Sequence, residues 1–249
     1  MKPFFSVILP VYNSNESYQM SLNSVECQTF SSFEIIVVDD SSLLPVRVNN
    51  PNQLIKLKKN QGPAAARNAG IVAAAGEYVC FIDAGDIWDK HKLNLIHKCI
   101  IDSGSKFLGH EIFHKPTLFP KIKKDEMSVK KITAIQLLLK NPTHTSTLVI
   151  RRDEMKAFDE TFRYCEDYDF ILRNSEDLSF SFISTPLAFR DRPVLSPGGL
   201  SENRIRMRMG ELKTYFKFCR RHRLLPLFPV FVAFSFAKHV RKLLSEKYR

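Results

Sequence analysis

Apolar residues fall in short runs separated by polar turns, and their spacing changes from run to run. Residues 4–9, Phe-Phe-Ser-Val-Ile-Leu, form a β-rich stretch that stops at Pro10. Over residues 15–28, Tyr18, Leu22 and Val25 share one stripe, the spacing of a helix. Residues 33–38 are almost wholly apolar, as a strand covered on both faces requires, and they end in the polar turn Asp39-Asp40-Ser41-Ser42. A third short strand is predicted over 54–57. Residues 62–75 are alanine-rich, with Pro63 in a first helical turn where its missing N–H costs nothing, and Gly76 is placed to end the helix. A fourth strand over 78–82 ends at Asp83.

Strand alternating with helix predicts an α/β fold with a mostly parallel central sheet and helices on both faces. Ligands of such sheets sit at the carboxyl ends of the strands. Three ends carry polar groups here, Tyr12-Asn13, Asp39-Asp40 and the segment from Asp83 to Asp86, so these are expected on one rim. Further on, a helix is predicted over 132–140 and a strand over 145–150. An acidic helix start is predicted at Glu166-Asp-Tyr-Asp169, since acids favour a first turn. No element is predicted for 104–131, which holds the lysine-rich stretch around Lys121, Lys123 and Lys124. Two basic helices are predicted over 203–223 and 226–245.

Charge divides the chain in two. The net charge is +11, yet residues 1–202 carry 24 basic and 24 acidic residues. The excess lies in 203–249, where thirteen basic residues face only Glu211 and Glu246. That tail also holds residues 224–237, fourteen uncharged positions with four Phe, flanked by Arg220, Arg221, Arg223, Lys238, Arg241 and Lys242. The block is too short to span a bilayer and suits an anionic membrane surface. A nucleic-acid binder would interleave its aromatic and basic residues, so no nucleic-acid partner is expected. The plain alternative is a last core helix. The partition is therefore a catalytic domain, 1–202, and a basic, Phe-rich helical tail, 203–249. No secretory leader is expected. Five scattered cysteines without a Cys-x-x-Cys pair argue against a disulfide framework and suit a reducing cytoplasm.

The rim acids define the candidate chemistry. Converging carboxylates repel unless a cation lies between them, and Mg²⁺ or Mn²⁺ with phosphate oxygens would serve. Strand-end acids also accept hydrogen bonds from a ribose or a base. Arg67, on the alanine-rich helix, could neutralise phosphate or pair with a rim aspartate. The plain readings are turn-capping aspartates and a solvated helical arginine. His144 is read as a structural histidine before a contact to phosphate or acceptor, and Trp88 as core.

These residues fall within an ordered set of segments: Val7-Ile-Leu-Pro-Val-Tyr-Asn13, Gln28-Thr-Phe30, Phe33-Glu-Ile-Ile-Val-Val-Asp-Asp-Ser-Ser42, Asn60-Gln-Gly-Pro-Ala-Ala-Ala-Arg-Asn-Ala-Gly70, Gly76-Glu-Tyr-Val-Cys-Phe-Ile-Asp-Ala-Gly-Asp-Ile-Trp88, Thr145-Ser-Thr-Leu-Val-Ile-Arg151 and Glu166-Asp-Tyr-Asp169. In this order and spacing the chain resembles the inverting family 2 glycosyltransferases of the GT-A fold, a Rossmann-like architecture, in their bacterial surface-polysaccharide type. The resemblance implies that Pro10, Val11 and Tyr12 hold the nucleotide base, that Asp40 hydrogen-bonds it, and that Arg67 lines the donor site. It implies that Asp83 opens the metal and ribose motif, that Asp167 is the catalytic base, and that Glu166 is its neighbour. It further implies a nucleotide-sugar donor of the UDP class, a saccharide or lipid-linked saccharide acceptor, and a cytoplasmic enzyme peripherally associated with the inner face of the bacterial membrane. In one place the chain departs from the pattern: Gly85 stands where a metal-ligating aspartate is usual, which leaves Asp83 and Asp86 as the expected ligands of Mg²⁺ or Mn²⁺. Two other classes, a nucleotidyltransferase and a phosphoacceptor module, fit less well. The first strand ends in Pro10-Val-Tyr-Asn13 rather than a glycine-rich basic loop, and Asp39-Asp40 ends the second strand rather than the first. A catalytically weakened sugar-nucleotide binder is disfavoured by the intact Asp167.

Overall fold

The computed structural model describes residues 2–14, 16–49, 52–113, 128–190 and 203–247. Its elements, in order, are β1 (Phe5–Val11), α1 (Ser17–Glu26), β2 (Phe33–Asp39), β3 (Gln53–Lys56), α2 (Pro63–Ala73), β4 (Tyr78–Phe81), β5 (Asp86–Trp88), α3 (Lys92–Ser103), β6 (Phe107–Phe113), β7 (Val129–Ile132), α4 (Ala134–Leu139), β8 (Val149–Arg151), α5 (Glu166–Asp177), β9 (Phe180–Arg190), α6 (Arg204–Arg221) and α7 (Phe228–Lys247). The strands form one sheet in the order β3-β2-β1-β4-β8-β6-β9-β5, with β7 paired to β9. The first four are mutually parallel. Strand β8 runs against β4 and β6, while β9 runs parallel to β6 and against β5 and β7.

Strand β1 continues through Pro10, two residues past the predicted stop. The Ile8 carbonyl accepts from Ile82 on the β4 side. Pro10 faces that same side, where β4 has already ended at Phe81, so its missing N–H has no ladder partner to lose. Along β1, Phe5, Val7, Leu9 and Val11 join one buried cluster with Leu22 and Val25 of α1 and Leu93 and Ile96 of α3. Ile8 points to the opposite cluster, with Ala64 and Ala66 of α2 and Phe170 of α5. Helix α2 lies so close to β1 that a Cβ on Gly70 would come within 2.5 Å of the Ile8 side chain; the helix is small-residued because only small residues fit there.

Several elements differ from the sequence reading. Helix α3 and strands β5, β6 and β9 were not predicted, nor was β7, whose last residue, Ile132, was expected to open the helix over 132–140. The lysine-rich stretch lies outside the described residues. The expected strand over 145–150 is a 3-10 turn, Thr145–Thr147, followed by β8. The two C-terminal helices form where expected. Helix α6 packs Tyr215 and Phe218 into the cluster shared by α2 and α5. Helix α7 is fastened to α6 by Glu211, which accepts from Ser235 Oγ at 2.7 Å, from Lys238 Nζ at 2.5 Å and from Tyr215 OH at 3.0 Å.

Candidate active site

Strand direction gathers the candidate residues on one edge. The carboxyl ends of β1, β2 and β4 lie together because these strands are parallel. Antiparallel β8 brings its leading residues, His144 to Leu148, to that edge, since Cys80 pairs with Val149. Strand β9 ends there at Arg190, and β5 begins there at Asp86, because Asp86 and Arg190 are register partners.

Arg67 is the centre of the site. It is 3% exposed, and its guanidinium forks to two carboxylates: Nη2 to Asp83 Oδ1 at 2.7 Å and Nη1 to Glu166 Oε1 at 2.8 Å. One cation thus joins Asp83, 16 residues along the chain at the end of β4, to Glu166, 99 residues along at the start of α5. Burial alone would lower the Arg67 pKa, but Asp83 and Glu166 outweigh it and keep the group charged. Burial would raise the Asp83 carboxyl; Arg67, then Arg190 and His144, reverse this and hold it below the ordinary carboxylate value. Asn68, beside Arg67, fixes the loop before α5 by pairing with the Phe158 backbone at 2.9 and 3.0 Å.

Asp167 follows Glu166 in the first turn of α5 and is half-buried. The Tyr168 N–H donates to its Oδ1 at 2.8 Å. Burial raises the Asp167 pKa, and the charge of Arg67 and this hydrogen bond only partly offset it. Burial likewise raises Glu166, opposed by Arg67 and reinforced by Asp167. A carboxylate with raised proton affinity, half open to the rim, is equipped to take a proton from a hydroxyl.

The segment from Asp83 to Asp86 is a tight turn, closed by the Asp86 N–H donating to the Asp83 carbonyl at 3.0 Å. Gly85 holds φ +102°, a conformation that side chains other than glycine rarely adopt. Two serines clamp the turn. The Gly85 N–H donates to Ser21 Oγ at 2.8 Å, and the Asp83 N–H to Ser146 Oγ at 2.9 Å. The Ser146 carbonyl in turn accepts from buried Lys92 Nζ at 2.7 Å and Trp88 Nε1 at 3.0 Å.

A divalent cation held by two aspartates needs both carboxylates aimed at one point. The Asp83 side chain is 32% exposed at the rim, with Oδ1 bound to Arg67. Asp86 is 4% exposed, and its Oδ2 accepts from Ser146 Oγ at 2.5 Å while its Oδ1 lies 3.5 Å from Arg190 Nε. Burial pushes its carboxyl up to about 6, against the pull of Arg190. Gly85 supplies no side chain. Among the described residues no group of three His, Cys, Asp or Glu is placed to hold a metal. Of the expected Asp83–Asp86 pair, only Asp83 opens to the rim; pairing of β5 with β9 turns Asp86 toward Arg190.

The nucleotide side of the rim comes from β1 and β2. Pro10 and Val11 stand opposite Val38 and Asp39, and Tyr12, just beyond, is 50% exposed. Asp40 is 3% exposed. Its Oδ1 accepts from the Gln61 N–H at 2.7 Å; its Oδ2 accepts from the Gly62 N–H at 2.8 Å and Asn60 Nδ2 at 2.9 Å. Asp40 therefore orders the loop leading into α2. Arg190, Ser146, Ser21 and Lys92 were not singled out from sequence. The strand-end rule would have found Arg190 had the β-rich run from Phe180 been recognised as a strand of this sheet.

An α/β sheet with parallel leading strands and this carboxylate–arginine rim defines a GT-A glycosyltransferase. The comparisons with known proteins agree: the Glycosyl transferase family 2 profile matches residues 6–196, and the chain belongs to that family. The amylovoran biosynthesis glycosyltransferase AmsB of Erwinia amylovora is 31% identical over 210 residues, covering 74% of this chain and 68% of that protein. The UDP-Glc:alpha-D-GlcNAc-diphosphoundecaprenol beta-1,3-glucosyltransferase WfgD of Escherichia coli is 29% identical over 187 residues, 72% of each chain. Among solved structures, S. aureus TarS 1-349 has a TM-score of 0.63 at 22% identity; the match covers 85% of this chain and 65% of that one. The Pyrobaculum calidifontis mannosyltransferase PcManGT, in complex with GDP-Man and Mn²⁺, has a TM-score of 0.63 at 17% identity, covering 95% of this chain and 74% of that one. At these identities the structures share the fold.

Proposed function

We propose that the protein is an inverting glycosyltransferase that moves a sugar from a nucleotide-diphosphate donor of the UDP class to a hydroxyl of a lipid-linked or cell-surface saccharide. The observation that carries this reading is the Arg67 fork joining Asp83 to Glu166, with half-buried Asp167 beside it. Asp167 takes the acceptor proton as the hydroxyl attacks from the face opposite the leaving diphosphate, so the anomeric configuration inverts and no covalent enzyme intermediate forms. Glu166, fixed by Arg67, holds the first turn of α5 so that Asp167 keeps its aim. Pro10, Val11 and Tyr12 line the base, and Asp40 orders the adjoining loop. In support, the name of WfgD specifies a UDP-sugar donor and a diphosphoundecaprenol-linked acceptor, and TarS 1-349 has been solved with UDP-GlcNAc.

The test is thermal denaturation with a panel of UDP-, GDP- and dTDP-sugars. A ligand at ~100 times its Kd stabilises the native state by about 2.7 kcal/mol. For a chain of this size that is a rise of about 5–10 °C, expected for a UDP-sugar and absent for the others. No rise with any nucleotide sugar would overturn the reading.

The acceptor class implies a place at the inner membrane face. No helix among the described residues is long and apolar enough to cross a membrane. Leu224, Leu225, Leu227 and Val230 are exposed beside the exposed Arg220, Arg221 and Arg223. This patch is proposed to rest on anionic lipid, apolar side chains in the interface and arginines among the headgroups. Replacing Leu225 and Leu227 with Gln should weaken sedimentation with phosphatidylglycerol vesicles roughly tenfold or more without altering the melting temperature. Unchanged sedimentation would place the contact elsewhere.

A further inference from the structure

The turn from Asp83 to Asp86 leaves a charge problem that the donor reading must answer. A departing nucleoside diphosphate gains negative charge, and a site that accelerates its departure presents fixed positive charge there. Gly85 offers no ligand, and Asp86 is committed to Ser146 and Arg190. The arginine on the other side of that contact has the required properties. Arg190 ends β9 on the rim that carries Asp83, and its backbone is fixed by register with Asp86. Its Nε faces Asp86 Oδ1 at 3.5 Å, so Asp86 sets the direction of the guanidinium. The side chain is 20% exposed, buried enough to be held and open enough to be reached. Its positive charge acts on the carboxyls of both Asp83 and Asp167.

We propose that Arg190, aimed by Asp86, is the cation that binds the diphosphate of the nucleotide donor, and that Asp86 acts as its anchor rather than as a metal ligand. The proposal rests on the nucleotide-sugar reading and adds to it the group that meets the phosphates. A guanidinium presents paired N–H donors that match phosphate oxygens, which a carboxylate pair cannot do without an intervening cation. The Ser146 hydroxyl, 2.5 Å from Asp86 Oδ2, holds the anchor from behind, and the buried Lys92 ammonium holds the Ser146 carbonyl. The arrangement is a relay of position from core to rim.

Isothermal titration of the full chain with UDP and with uridine, each with EDTA and then with Mn²⁺, separates the claims. In EDTA, wild type should bind UDP more tightly than uridine, with an advantage that falls as salt is raised. Arg190→Gln should lose about ten- to a hundredfold in UDP affinity while uridine binding stays within about twofold. Arg190→Lys, which keeps the charge, should recover part of the loss and guards against a folding defect in the glutamine variant. Asp86→Asn should weaken UDP but not uridine. If wild type prefers UDP over uridine only when Mn²⁺ is added, or if Arg190→Gln binds UDP as wild type does, the Arg190 assignment is wrong while the donor reading survives. If neither ligand binds under any condition, both fall.

Discussion

Asp167→Asn is expected to lower kcat by about 10²–10⁴-fold, the range for loss of a positioned general base, with donor affinity within about threefold of wild type. The substitution is nearly isosteric, and the amide oxygen can still accept from the Tyr168 N–H, so the first turn of α5 should keep its shape. What disappears is the ability to accept a proton. In wild type the Asp167 pKa is raised, chiefly by burial. The rate should therefore climb with pH across a range above that of an ordinary carboxylate and level off once the group is ionised. Because Glu166 and Asp83 interact with the same arginine, that midpoint belongs to the cluster rather than to one residue. Quenched-flow or steady-state assays between about pH 4.5 and 8, paired with donor titration, check both parts. Full activity in the variant would remove Asp167 from the chemistry.

Arg67→Ala is expected to cause the largest loss of stability. It leaves Asp83 and Glu166 without the cation that joins them, and removing one partner of a buried ion pair costs about 3–5 kcal/mol. The Asp83 side chain is about one-third exposed, so solvent screening places the effect toward the lower end. At about 2–4 °C per kcal/mol, melting should fall by roughly 10 °C. The sign of the pH dependence is a second check. In wild type, the stability contributed by the depressed Asp83 pKa is present above the ordinary carboxylate value and lost as pH falls through the folded value. Without Arg67, both carboxyls should have raised pKa values, so protonation relieves their repulsion and the variant's deficit should shrink on moving from pH 7.5 toward 5. Arg67→Lys should rescue poorly, since the two bonds leave from different guanidinium nitrogens. A variant as stable as wild type at neutral pH would show that the fork contributes nothing to folding.

The parts of this architecture that could be read from the chain are those in which local pattern and tertiary role agree. Strands β1, β2 and β4 are apolar runs ending in polar residues, and the rule that ligands lie at such ends gathers Tyr12, Asp40 and Asp83 on one rim. Arg67 stands out as the one charge on an alanine-rich helix, and the Glu166-Asp167 pair as acids at a helix start, although nothing in the spacing says that one guanidinium binds acids on two distant elements. The rest was hidden by mismatch between pattern and role. Strand β5 is three residues long and defined by its partner β9. Helix α3 begins with Lys92, which a periodicity argument assigns to solvent, yet it is fully buried over the Trp88 ring, 3.4 Å from the centroid. Ser146 sits in a β-rich stretch but bends into a 3-10 turn, because its hydroxyl and carbonyl serve four buried partners. Asp86, read from sequence as a ligand, is turned toward Arg190 and Ser146 because β9 lies next to β5.

The Arg67 fork also sets an order on the assembly of the rim. Its three members are supplied by residues 67, 83 and 166, and the neighbouring cation by residue 190 at the far end of the sheet. No N-terminal fragment that stops short of Arg190 contains the set, so the charges of the rim can meet only after most of the chain has been made.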